Sequence, residues 1–173
     1  MSQITWLALG YNVPANPSKN RVYVWRKLKE IGACYFRPGV ALLPKSSQTV
    51  SQFGALGAKI REMGGEAALA DLRFIEHRDE QRTVRMFKDQ SRDDYLALIR
   101  DSRAVVEKLG GSILADGGAD LIRRVTRSYK KVKSRDYFKC GPGAEMAEFL
   151  DELTGDISHG TSELARQLRL LID

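Results

Sequence analysis

The sequence predicts an α+β fold: a ferredoxin-like βαββαβ unit over residues 1–75, followed over residues 76–173 by a helical extension packed as part of the same globular unit. Three observations predict it. β-type apolar runs and helical apolar stripes alternate in the order strand, helix, strand, strand, helix, strand as far as residue 75. Gly or Pro punctuates most of the junctions. Beyond residue 75 the periodicity is helical. In a split βαβ arrangement two helices cover one sheet face, so the other face needs its own cover.

The run ITWLALGYNVP is a short apolar stretch of β-formers that ends at Pro14, where a continuing strand would lose a ladder donor. The first helix follows, with Ser18 as its N-cap, Val24, Leu28 and Ile31 at helical spacing, Trp25 beside them, and Gly32 as its stop. Its other face carries Arg21, Arg26 and Lys27. ACYFRPGVALLP holds two β-like runs split by the turn dipeptide Pro38-Gly39, which makes a hairpin. Ser46 or Ser47 caps a second helix that runs to about Met63, with Val50, Phe53, Leu56 and Ile60 on one stripe and Gly64-Gly65 at its end. EAALADLRFI supplies the fourth strand.

A long helical pattern then runs from Arg78 to Leu109, with a break expected near Gln90-Ser91. The Gly-rich LGGSILADGGAD is a loop, and a basic helix spans Gly118 to Arg135. The turn KCGPG leads to a helix through Leu153, and a last helix covers Ser162 to Leu171.

The 173 residues are enough for one domain to bury most of its surface, and 43% hydrophobic and 29% charged residues exclude disordered and fibrous classes. Two cysteines, Cys34 and Cys140, exclude a disulfide framework and a zinc site, so both are expected as free thiols in a reducing cytoplasm. The apolar start is too short for a membrane span and lacks a signal-peptide pattern, so no membrane partner is expected.

The net charge of +6 is unevenly placed. In LIRRVTRSYKKVKSRDYFK, residues 121–139, Arg123, Arg124, Arg127, Lys130, Lys131, Lys133, Arg135 and Lys139 face a single acid, Asp136. At 100° per residue Ile122, Val125, Tyr129 and Val132 form one apolar stripe, which leaves the cations on the opposite face. Like charges four apart (Arg123/Arg127, Arg127/Lys131, Lys131/Arg135) each oppose the helix by about 0.2–0.5 kcal/mol. Folding gains nothing from them, whereas a phosphate backbone would. The nucleic-acid-binding candidates are therefore Arg123, Arg124, Arg127, Lys130, Lys131, Lys133 and Arg135, with Arg21, Arg26 and Lys27 as a secondary basic face. Tyr129, Tyr137 and Phe138 are read as packing residues rather than base-stacking ones.

No catalytic residue, cofactor or metal ligand is assigned. His77 stands among acids that favour a helix N-terminus, and His159 lacks an identifiable nucleophile. GALGAK, residues 54–59, lacks the spacing and Lys-Ser/Thr ending of a phosphate loop, so Gly54 and Gly57 read as close-packing sites.

Tyr11 and Pro14, Trp25-Arg26 with Leu28, Gly32, Gly39-Val40 with Leu43-Pro44, and Asp136-Tyr137-Phe138, in that order, resemble the N-terminal domain of the ChrB family over nearly the whole chain. The resemblance implies a regulator of transcription linked with chromate resistance, not an enzyme, with duplex DNA as partner. Members commonly add a C-terminal domain, so a separate ChrB-type C-terminal protein is an expected partner, and a homodimer stays open. More distantly the first strand, first helix and hairpin resemble the ferredoxin-like module of PaaX-type repressors and of small CRISPR-associated nucleases. Those nucleases place a metal-binding aspartate at the end of strand one, where this chain has Asn12, a weaker oxygen donor. A metal-dependent nuclease relative and a module that binds an acidic protein are the alternative readings.

Overall fold

The structure is a computed structural model that describes residues 4–108 and 118–141, with residues 143, 145, 146, 148 and 149. The elements are β1 (Trp6–Asn12), α1 (Ser18–Ile31), β2 (Cys34–Arg37), β3 (Val40–Pro44), α2 (Ser47–Glu62), β4 (Glu66–Leu72), α3 (His77–Lys108) and α4 (Gly118–Lys133). The chain divides into two compact units, Met1–Met86 and Phe87–Asp173.

The first unit is an α+β layer. Its sheet has the order β2-β3-β1-β4 with every neighbouring pair antiparallel, which is the order expected when two split βαβ units interlock. β1 is central, and Trp6, Leu7, Ala8 and Leu9 are all buried, so it is covered on both faces. On one face Leu9 pairs with Leu69 and Tyr11 with Ala67, and α2 lies over them, because a Cβ on Gly57 would stand 3.4 Å from Leu69 and 3.6 Å from Ala67. On the other face the Trp6 ring meets Phe74 edge-on at 5.9 Å, and Phe74 meets Phe36 at 5.6 Å. The Trp6 indole N–H donates to Glu80 Oε1 at 3.0 Å, which satisfies the buried donor and ties the first turn of α3 to the sheet.

The helix signals hold with local corrections. Gly32 ends α1 in the left-handed region at φ 75°, as expected. Ser18, expected as the N-cap, is the first helical residue; Pro17 occupies the cap with no side-chain bond, because its fixed ring already sets the entry. Ser46 does cap α2, through a reciprocal box with Thr49. Thr49 also takes the buried place expected for Val50: its hydroxyl donates to the Pro44 carbonyl at 2.9 Å, and Val50 is exposed. The long third helix is unbroken through Gln90 and Ser91, where Ser91 is small enough to sit buried on its inner face. The helical signal beyond the KCGPG turn is present at residues 143, 145, 146, 148 and 149. The expected loop LGGSILADGGAD up to residue 117 and the final helix at 162–171 lie outside the described residues.

The two glycines of the GALGAK stretch part company. Gly57 is a close-packing site, but nothing approaches a Cβ on Gly54 within 4 Å. Gly54→Ala therefore raises stability by about 0.5–1 kcal/mol, the helical cost of glycine. Gly65→Ala would place its Cβ 2.5 Å from the Asn12 carbonyl oxygen, so it lowers stability by about 1–3 kcal/mol as overpacking does. Urea midpoints of the two variants moving in the same direction would contradict this packing.

Cys34 is buried and Cys140 exposed, both as free thiols. Burial pushes the Cys34 thiol up to about 12, so the fold favours its neutral form. That contribution is complete below the unfolded thiol value near 8.5 and is lost as pH climbs from there toward about 12, so stability falls through this alkaline window. Thiol titration should count one fast thiol in native protein and two after unfolding; a Cys34 that reacts as fast as Cys140 would contradict the burial.

Candidate nucleic-acid interface

α4 belongs to the second unit, and its inner face sets everything else about it. Leu121, Ile122, Val125, Tyr129 and Val132 are each at most 7% exposed and join Tyr95, Leu98 and Ile99 of α3 with Met146 and Phe149 in one core. Five apolar side chains at helical spacing cannot turn inward without turning the intervening residues outward. Arg123, Arg124, Arg127, Lys130, Lys131 and Lys133 are accordingly all exposed. Lys130, Lys131 and Lys133 also stand in the last turn, where the helix dipole favours cations.

The seven sequence candidates do not behave alike. Arg123, Arg127 and Lys130 form an outward stripe, and Arg123 also bonds Asp120 at 2.9 Å in a well-solvated pair. Arg124 and Lys131 border a cleft of about 450 Å³ between α3 and α4, to which Asp101, Ser102 and Ser128 also contribute. Lys133 lies over the Tyr129 ring at 5.7 Å. Arg135 lies past the end of the helix, and its guanidinium meets Asp94 of α3 at 2.9 Å with both side chains largely buried. It ties two helices together. Because α4 stops at Lys133, Lys131 and Arg135 are not a helical pair, and two of the three like-charge pairs remain.

Asp136, the one acid within the basic stretch, does not neutralise this face. It is 9% exposed, and its carboxylate accepts the backbone N–H groups of Cys140 and Gly141, both at 3.0 Å. The Tyr95 hydroxyl also reaches it, at 3.4 Å. Burial and then the Asp136 charge push the Tyr95 phenol well above its ordinary range. The loop after α4 is thus wound around its own carboxylate, with Lys139 in the left-handed region at φ 50°. Tyr137 and Phe138 pack on Phe87 at 5.9 and 5.6 Å, so they are packing residues, as is the buried Tyr129.

The secondary basic face lies on α1, in the first unit. Arg21 and Arg26 are exposed, while Lys27 is half-buried and bonded to Glu30 at 2.9 Å. His77 is exposed, 2.9 Å from Gln81 and 3.8 Å from Glu80, with no nucleophile in these contacts. His159 lies outside the described residues. Among the described residues no three of His, Cys, Asp and Glu gather as metal ligands do, and Asn12 at the end of β1 pairs with Glu66 in the sheet. The sequence reading missed the part played by Asp136; an acid three to five residues before Lys-Cys-Gly, where a chain must turn, was the available signal.

The family model described as Protein ChrB, N-terminal, matches residues 21–169 of the chain. No curated protein and no solved structure matches it. Among the described residues no helix is long and apolar enough to cross a membrane.

Replacing Asp136 by Ala strands two backbone donors and removes a charged acceptor, so Asp136→Ala lowers stability by about 1.5–3 kcal/mol, with Asp136→Asn in between. A urea midpoint unchanged in Asp136→Ala would contradict the loop-organising role.

Proposed function

The chain belongs to the ChrB N-terminal family, a module related to the chromate resistance regulators, and on that premise we propose that it contacts the phosphate backbone of duplex DNA through α4 and so serves transcriptional regulation. The observation that carries the reading is a helix whose cations all face outward while Asp136, the nearest acid beyond its end, is buried and bonded. The Arg123/Arg127 and Arg127/Lys131 repulsions together oppose folding by about 0.4–1 kcal/mol before salt screening. A polyanion turns that cost into affinity, because each phosphate neutralised by Lys or Arg releases condensed counterions.

The contacts divide by geometry. Arg123, Arg127 and Lys130 present a row along the helix axis that can follow one strand of the backbone. Arg124 and Lys131, with the Ser128 hydroxyl, edge the cleft beside it and offer a second row. Backbone contacts of this kind set position and orientation but do not read bases, so the reading assigns α4 affinity rather than sequence choice. The module performs no covalent step in it. An acidic protein could meet the same face, and the duplex experiment separates the two.

Reversing Arg127 and Lys131 to Glu removes one contact from each row. Affinity should fall on all duplex sequences alike, and the slope of log affinity against log salt should become shallower by roughly two, at about 0.9 per phosphate. Fold stability should stay within a few tenths of a kcal/mol of the parent, because position 127 then attracts Arg123 while positions 127 and 131 still carry like charges. Unchanged affinity and slope in a folded double variant, measured by electrophoretic shift or fluorescence anisotropy, would leave α4 as a solvated surface.

A further inference from the structure

Helix α1 buries only Val24 and Leu28 of its 14 residues. Its outer surface carries three large apolar side chains, Val22, Tyr23 and Trp25, at 45%, 36% and 50% exposure. Apolar residues exposed singly need no account, but Val22 and Trp25, three apart on one face of the helix and set among cations, make a surface. Arg21, Trp25 and Lys29 follow one another at four-residue spacing, which places them in a row with about 6 Å of rise between neighbours. Lys29 Nζ stands 5.5 Å from the Trp25 ring centroid, and Arg26 is exposed beside the row. The helix carries Lys19, Arg21, Arg26, Lys27 and Lys29 against one acid, Glu30, whose carboxylate is bonded to Lys27 at 2.9 Å.

This charge selects an anionic occupant and sets a second copy of the same face in repulsion. The indole at the centre of the row adds a requirement for a flat, apolar face. Bases in a duplex keep their faces stacked on one another, whereas an unpaired base presents its own. We infer that α1 is a docking surface for single-stranded nucleic acid, with Trp25 stacking on an unpaired base and Arg21 and Lys29 meeting the phosphates on either side. The reading of α4 plays no part in this, since the residues, the unit and the form of nucleic acid differ. Base–aromatic stacking tolerates every base, so the surface binds strands without sequence preference.

The test is a titration of the whole chain with oligo(dT) and with an abasic strand of equal length, following tryptophan emission and affinity. Trp6 is fully buried, so quenching reports Trp25. The parent should bind oligo(dT) more tightly than the abasic strand and be quenched by it. Trp25→Ala should abolish the quench and weaken oligo(dT) binding by about 5- to 150-fold, leaving the abasic strand unaffected. Trp25→Phe should keep part of the preference. Arg21→Gln should weaken both strands alike, which keeps the proposal testable should Trp25→Ala misfold. Reversal of Arg127 and Lys131 should leave the quench at saturation intact, so failure of the duplex reading would be seen separately. Equal oligo(dT) affinity in the parent and a folded Trp25→Ala, or equal binding of the two strands by the parent, would overturn the assignment. So would tighter binding of a poly-glutamate peptide than of oligo(dT), which would give the face to an acidic protein.

Discussion

Burial of one face of α4 is the constraint on which the second unit depends. Leu121, Ile122, Val125, Tyr129 and Val132 interlock with Tyr95, Leu98 and Ile99, and burying side chains of that size stabilises by about 1.5–3 kcal/mol each relative to exposure. Against that, mutual repulsion among the cations opposite is small. The core therefore decides the orientation of the helix and holds a dense positive face in water. A surface that would not form from its own interactions is imposed by the packing behind it.

Two polar devices hold that arrangement. The Arg135–Asp94 pair joins the end of the basic helix to α3, and Asp136 gathers Cys140, Gly141 and Tyr95 around one carboxylate. Each uses a charge that the bare sequence counts as part of the basic stretch, one a cation and the other its lone acid. A largely buried ion pair contributes more to fixing one geometry than to net stability, since desolvation offsets the Coulomb gain. In the first unit Trp6 has the corresponding place, edge-on to Phe74 and bonded to Glu80, so the sheet and the start of α3 share one buried anchor.

Alternation of period two and period 3.6, punctuated at Gly32, Pro38-Gly39 and Gly64-Gly65, made the order of elements in the first unit legible. The strand order follows from the restricted ways two βαβ crossovers can share a sheet. The apolar stripe of α4 was legible for the same reason, and with it the outward cations. What periodicity could not reveal was competition between neighbours. Thr49 displaces Val50 from the core because its hydroxyl finds the Pro44 carbonyl, and Pro17 displaces Ser18 from the cap. Likewise nothing in the spacing of Arg135 distinguishes it from Lys131; only the position of Asp94 in space does. Trp25 read as a neighbour of the core stripe and stands instead on the outer surface, because only Val24 and Leu28 of its helix face inward.

The central claim is that the outward cations of α4 meet phosphate. Lysine acetylation followed by mass spectrometry, with and without a duplex of arbitrary sequence, tests it at the residues themselves. Lys130 and Lys131 should lose reactivity when duplex is added and regain it as salt releases the DNA. Equal modification of both lysines with and without bound duplex would contradict the account.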